Sequence, residues 1–95
     1  MTYIAIVEED SPDNYGIWFP DLPGCTSATN SLDTVFDMAQ EALTGHIEAM
    51  QEVALPIPVP RSLHELRQTS EFIEESESMI VIAVRLRETV LEAAE

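Results

Sequence analysis

Four carboxylates, Glu8, Glu9, Asp10 and Asp13, fall within six positions of the segment EEDSPDN. Carboxylates crowded this way could hold a divalent cation, and a held cation could activate water for hydrolysis. Their spacing is not that of a calcium loop, which wants a Gly at the sixth position and a bidentate Glu at the twelfth. The alternative is a solvated turn between two strands, and Ser, Pro, Asp and Asn are turn-forming residues. Nucleophilic chemistry has one candidate, Cys25, the single cysteine. No neighbour in sequence would depress its pKa, so it reads as a small buried hydrophobe. His46 and His64 have neither a nucleophile nor a metal-spaced partner beside them and read as structural. With no metal-ligand set and no nucleophile beside a base, the residues predict a binding module and not an enzyme, with no cofactor.

The elements that must position these groups are organised around YGIWFPDLPGC, residues 15–25. Tyr15, Ile17 and Phe19 fall on one side of a period-two strand, Gly16 and Trp18 on the other. Pro20 cannot donate to a sheet ladder, and Pro23-Gly24 suits the middle of a type II turn with Gly24 at positive φ. Tyr3 to Val7 is apolar on both pleat faces, which predicts an interior strand forming a hairpin with the next. Cys25 to Thr29 reads as a short third strand. Ser31 opens a long amphipathic helix, with Leu32, Val35, Phe36, Ala39, Ala42, Leu43, His46, Ile47 and Met50 on its apolar stripe.

ALPIPVP, residues 54–60, has prolines at alternate positions and must be an extended strap, with Leu55, Ile57 and Val59 as packing anchors. SLHE from Ser62 is a capping box opening a short helix to about Thr69. Residues 71–78 read as an acidic loop, and Met79 to Leu86 as a buried fourth strand. A right-handed crossover would set that strand beside the first and parallel to it. The expected class is α+β, in the order β-β-β-α-(short α)-β, with a mixed sheet and one main helix on one face. Residues 1–86 form one domain, and 87–95 a short tail or helix with no separate domain.

The chain has 95 residues, 18 acidic and 4 basic, for a net charge of −14. All four arginines lie at or after position 61, so residues 1–60 carry ten acids and no base. Such a field repels a nucleic-acid backbone and steers cationic partners, so direct DNA binding is not expected. No apolar stretch approaches membrane-spanning length, and no basic region of a signal peptide is present, which predicts a cytoplasmic protein with no membrane partner.

The order of strand, FPDLPGC, short strand and then a helix opening on Ser-Leu-Asp and carrying AQEAL resembles HicB-type antitoxin domains, the protein halves of HicA and HicB toxin-antitoxin pairs. The resemblance runs from about Tyr3 to Leu63. It departs before the helix, where many members have Gly-Asp and this chain has Asn30-Ser31. It implies a reduced ribonuclease H-like fold. Enzymes of that fold draw metal-binding carboxylates from their strands, whereas Tyr3 to Val7 and Met79 to Val84 contain no acid. Full-length relatives often continue into a ribbon-helix-helix or helix-turn-helix domain, which nine residues cannot hold, so operator binding is not expected of this chain.

The resemblance further implies a partner: a small, basic HicA-like ribonuclease toxin, inhibited when the antitoxin domain covers its active face. Trp18 would be the aromatic anchor, with Glu8, Glu9, Asp10 and Asp21 standing in for RNA phosphates. Trp18 could instead pack within the sheet or at a homodimer seam. The alternative is a solitary HicB-like domain that oligomerises or binds another protein without a toxin. In either case the small core and open strand edges predict a homo-oligomer.

Overall fold

The computed structural model describes residues 1–87. Strands β1 (Thr2–Ser11), β2 (Asn14–Trp18), β3 (Thr26–Thr29) and β4 (Ile80–Arg85) form one sheet in the order β3-β2-β1-β4. Helix α1 (Val35–Glu52) follows β3, and α2 (Leu63–Leu66) and α3 (Ser70–Ser76) precede β4. The α+β class and the place of β1 inside the sheet are as expected.

Alternation along β1 explains the layers. Tyr3, Ala5 and Val7 join the larger core with Tyr15, Ile17, Phe19, Leu43 and Ile47. Ile6 faces the other way and builds a second core with Leu66 and Phe72, against which Ile4, Trp18, Leu63 and Met79 pack. One face of the sheet therefore carries α1, and the other carries α2 and α3.

The corner after β2 is two successive turns, closed by Leu22 N–H to the Phe19 carbonyl at 3.1 Å and Cys25 N–H to the Leu22 carbonyl at 3.0 Å. Gly24 takes the positive φ that the turn requires, 87°. The main helix differs in detail from its sequence signature. A 3₁₀ turn, Leu32–Thr34, comes first, and Ser31 makes no side-chain cap. Val35, Ala39, Leu43 and Ile47 are buried at four-residue intervals. Leu32 and Phe36 lie off that line and are exposed, so the buried stripe is narrower than the apolar one.

At its far end α1 closes with a 6→1 bond from Leu55 N–H to the Met50 carbonyl, 2.9 Å, and a companion bond from Ala54 N–H to the Gln51 carbonyl, 3.1 Å. Ala54 sits at φ 56° in a position that usually holds glycine. The proline strap then crosses the sheet. The Tyr3 hydroxyl donates to the Pro58 carbonyl at 2.5 Å, and burial, then the Asp21 charge, raise the Tyr3 pKa. Ile57 packs on the core, but Leu55 and Val59 are exposed, contrary to their reading as anchors. A polyproline-like strap turns three residues per cycle, so residues two apart do not share a face.

Ser62 opens α2 with both hydrogen bonds of its capping box in place. Those bonds to Ser62 hold the Glu65 carboxyl below its ordinary pKa. The stabilisation they give is present above the usual glutamate range and is lost as pH falls through the lowered value. Most of residues 71–78, expected as loop, belong to helix α3, because Thr69 accepts from Phe72 N–H as N-cap and Phe72 is buried against the sheet. An acidic exposed face conceals that single anchor in the sequence.

Strand β4 is antiparallel to β1, from Thr2↔Arg85 to Val7↔Ile80, which corrects the parallel placement. A direct crossover would have started from the end of α1, beside the N-terminal end of β1. Instead the strap carries the chain to the second face, and α2 and α3 bring it back to the other end before β4 begins. Two passes, each reversing direction, make the last strand antiparallel.

Relief of left-handed strain is measurable here. Ala54→Gly is expected to stabilise by roughly 0.5 kcal/mol, the lost Cβ penalty outweighing the entropy gained by the unfolded chain. Gly24→Ala is expected to destabilise by roughly 1 kcal/mol. Urea unfolding of both variants checks the pair, and a destabilised Ala54→Gly would contradict the assignment of that cap.

Candidate partner-binding surface

The β1–β2 hairpin outruns its neighbour. Pairing of β1 with β4 ends at Val7↔Ile80, whereas pairing with β2 continues to Ser11↔Asn14, with a bulge between Glu9 and Ser11. Residues 8–14 thus form an arm clear of β4 that holds Glu8, Glu9, Asp10 and Asp13, with β3 still flanking β2 as far as Tyr15↔Thr29. The turn is held locally: Glu9 Oε2 accepts from Asp13 N–H at 3.1 Å, and Asn14 Nδ2 donates to Ser11 Oγ at 3.0 Å. Asp13 adopts φ 63°, which Asp tolerates better than most residues. Among the described residues no group of three or more His, Cys, Asp or Glu could hold a metal ion. The arm is a display of separate charges.

Register assigns those charges to sides. Glu8 lies opposite Gly16 and Ile6 opposite Trp18, so Glu8 and Trp18 share the second face. Glu9 lies opposite Tyr15, on the side of α1. Burial, then the Glu9 and Asp13 carboxylates, push the Tyr15 phenol above its ordinary pKa and keep it neutral. Asp10 is exposed at the bulge.

Trp18 is half-buried, packed on the second core. Beside it, Gly16 leaves open space where a Cβ would meet nothing within 4 Å. On β3, Thr26 lies opposite Trp18 and Ala28 opposite Gly16, both exposed. The indole therefore borders a shelf of small residues with Glu8 at its rim. Only the pairing register reveals that shelf, since Gly16, Thr26 and Ala28 carry no signal of their own.

Asp21 is elsewhere and is already occupied. Its Oδ1 accepts from Arg61 Nε at 2.6 Å and its Oδ2 from Arg61 N–H at 2.7 Å. The side chain is only 6% exposed. It fastens the end of the strap to the corner, and the structure does not bring it together with the acidic arm.

Cys25 and His46, far apart in sequence, are brought to one groove. Both line an open groove of about 380 Å3 between the corner and α1, with Met38, Glu41 and Gly45. The thiol is buried, donates to the Ala42 carbonyl at 3.5 Å, and is pushed up by burial to about 11. A thiol held neutral is not an activated nucleophile. His64 is exposed on α2. No helix among the described residues is long and apolar enough to cross a membrane.

Fold and surface together define a small acidic α+β domain with a protruding carboxylate arm beside a half-buried tryptophan. The chain belongs to the HicB-like antitoxins of bacterial toxin-antitoxin systems, whose family model matches residues 3–93. It is 32% identical over 72 residues to an uncharacterized 14.9 kDa protein in the rep-hol intergenic region of Haemophilus phage HP1, covering 76% of this chain and 53% of that protein. The chain thus spans about half the length of the phage relative. It is also 30% identical over 53 residues to a UPF0150 protein of Archaeoglobus fulgidus, covering 56% of this chain and 77% of that one.

Among solved structures, it superposes on a chain of the HicA3 and HicB3 toxin-antitoxin complex with a TM-score of 0.72 at 27% identity, covering 92% of this chain and 99% of that chain. The N-terminal domain of the Burkholderia pseudomallei antitoxin HicB shares the fold, with a TM-score of 0.71 at 23% identity and coverage of 92% and 99%.

The buried thiol has a measurable consequence. Cys25 in the folded chain is expected to react with a disulfide reagent at about pH 8 at least tenfold more slowly than in the unfolded chain. Stability linked to this group is complete below the ordinary thiol pKa and is lost as pH rises from there toward about 11. Equal reaction rates in the presence and absence of denaturant would contradict the burial.

Proposed function

We propose that this chain neutralises a small, basic HicA-type mRNA-cleaving toxin by covering the toxin's active face. The observation that carries the reading is the acidic arm: Glu8, Glu9 and Asp10 stand on a hairpin with no salt bridge among the described residues, in a stretch of sixty residues that has no base. Membership of an antitoxin family and the likeness to a chain of the HicA3 and HicB3 complex support it.

The mechanism follows from the positions. A ribonuclease surface that binds RNA presents cations spaced for phosphates, and carboxylates on a projecting arm meet the same cations without offering a cleavable bond. Glu8, Glu9 and Asp10 speed encounter and set orientation. Trp18 and its shelf of small residues supply the apolar contact that slows dissociation, because half-buried aromatic side chains serve well as anchors. Asp21 acts from behind: bound to Arg61, it holds the corner and the strap on which the second face rests. The protein acts by binding and performs no chemistry of its own.

Titration of the wild-type chain into a cognate HicA-type ribonuclease is expected to abolish RNA cleavage at a stoichiometric ratio. Triple charge reversal, Glu8→Lys with Glu9→Lys and Asp10→Lys, should slow association by about tenfold or more at low salt, with a smaller effect at high salt. Trp18→Ala should weaken binding about 30-fold, mainly through faster dissociation. Full inhibition by the triple variant with unchanged association kinetics would overturn the role of the arm.

A further inference from the structure

The free edge of β3 opens on the groove beneath α1. In the order β3-β2-β1-β4 this strand is paired on one side only, with β2, from Trp18↔Thr26 to Tyr15↔Thr29. Its end nearest the acidic arm is closed, since the Thr29 and Thr34 hydroxyls lie 2.6 Å apart. Along Thr26, Ser27 and Ala28 no backbone group outside the β2 pairing has a hydrogen-bond partner among the described residues, and neither proline nor a charge blunts the edge. Ser27 stands opposite Ile17 and shares its side of the sheet, where the groove of about 380 Å3 runs between β3 and Met38, Glu41, Gly45 and His46 of α1. Thr26 and Ala28 point the other way, onto the shelf beside Trp18. The edge is the border between groove and shelf.

Gly45 is unexplained by the free chain. It sits inside α1, where glycine is a poorer helix former than alanine. Gly24 alone among the glycines has positive φ, so no special conformation requires Gly45, and a Cβ there would meet nothing within 4 Å, so no neighbour does. A side chain entering the groove and lying against the helix backbone does require it. Charge selects that side chain. Glu41 is the one carboxylate of the groove lining, which holds no Lys or Arg, and Met38 and Ala42 add apolar surface. An apolar stem with a cationic end, lysine or arginine, matches both. The last eight residues of this chain, with three glutamates and no base, have the wrong sign. A second copy offers one arginine between apolar residues in extended chain, Val84 to Leu86, but Arg85 already lies in its own sheet and its carbonyl accepts from Gln40 Nε2 at 2.9 Å.

We infer that β3 takes a fifth strand, an extended segment of the basic partner whose central residue is lysine or arginine. That residue enters the groove opposite Ser27, its stem along Met38 and Gly45 and its charge at Glu41. The residues before and after it, small or apolar, lie on the shelf beside Trp18. The inference rests on the toxin-binding reading and adds the docking mode to it: main-chain pairing along β3 supplies affinity, and the groove selects the side chain.

The test uses the full chain and a cognate HicA-type ribonuclease, with affinity measured by titration calorimetry at physiological ionic strength and stability by thermal unfolding. Gly45→Gln fills the groove with a better helix former, so it is expected to raise the melting temperature of the free chain while weakening toxin binding by about tenfold or more. Glu41→Lys should weaken binding by about tenfold, whereas Glu52→Lys, the same charge change at the end of α1, should stay within about twofold of wild type because the medium screens it. In the complex, amides of residues 26–28 should exchange about tenfold or more slowly than in the free chain. A wild-type chain that does not bind the toxin overturns this inference together with the reading on which it rests. A wild type that binds and inhibits, with Gly45→Gln and Glu41→Lys binding equally well or with exchange along β3 unchanged, overturns this inference alone.

Discussion

Everything in this fold depends on the need to bury both faces of β1. Tyr3, Ala5 and Val7 on one face and Ile4 and Ile6 on the other cannot be covered by a single helix. Helix α1 satisfies one face, and the chain must then reach the other without leaving backbone groups unpaired in the core. The proline strap solves that problem. Three of its residues have no N–H to satisfy, Tyr3 takes up the Pro58 carbonyl, and Asp21 fastens the far end through Arg61. Burial of α2 and α3 and the antiparallel entry of β4 follow from that crossing.

Much of this was legible from residue types. The apolar character of both faces of Tyr3 to Val7, the left-handed Gly24 and the Ser62 capping box each state a local geometry, and the structure has all three. The direction of β4 was not legible, because it depends on which end of the sheet α3 reaches, and α3 is held by one buried side chain, Phe72. The site was legible as charge but not as arrangement. Glu8 and Trp18 share a face only through the register of two strands, and Asp21 is claimed by an arginine forty residues away. Partnerships at that separation are tertiary facts without a local signature.

Placing the carboxylates on a hairpin solves a second problem. A stretch of the sheet covered on both faces and bearing Glu8, Glu9, Asp10 and Asp13 would have to desolvate them or pair them. The arm leaves them hydrated, and its turn is closed by hydrogen bonds that do not neutralise them. The compact part of the molecule can then be optimised for packing while the projecting part is optimised for field.

The arm also carries a self-imposed tension. Four like charges on one hairpin repel one another, and its tip, residues 10–14, lies beyond the reach of both β3 and β4, with little but its own turn to hold it in register. The groups that make it attractive to a cation therefore oppose its own order. A cationic partner would relieve that repulsion as it docks, so arm rigidity and partner occupancy become two readings of one free energy, each raising the other by the same factor. Ionic strength acts on both at once: salt steadies the free arm and weakens its hold on a partner. In that sense the hairpin is a spring that is compressed by its own charge.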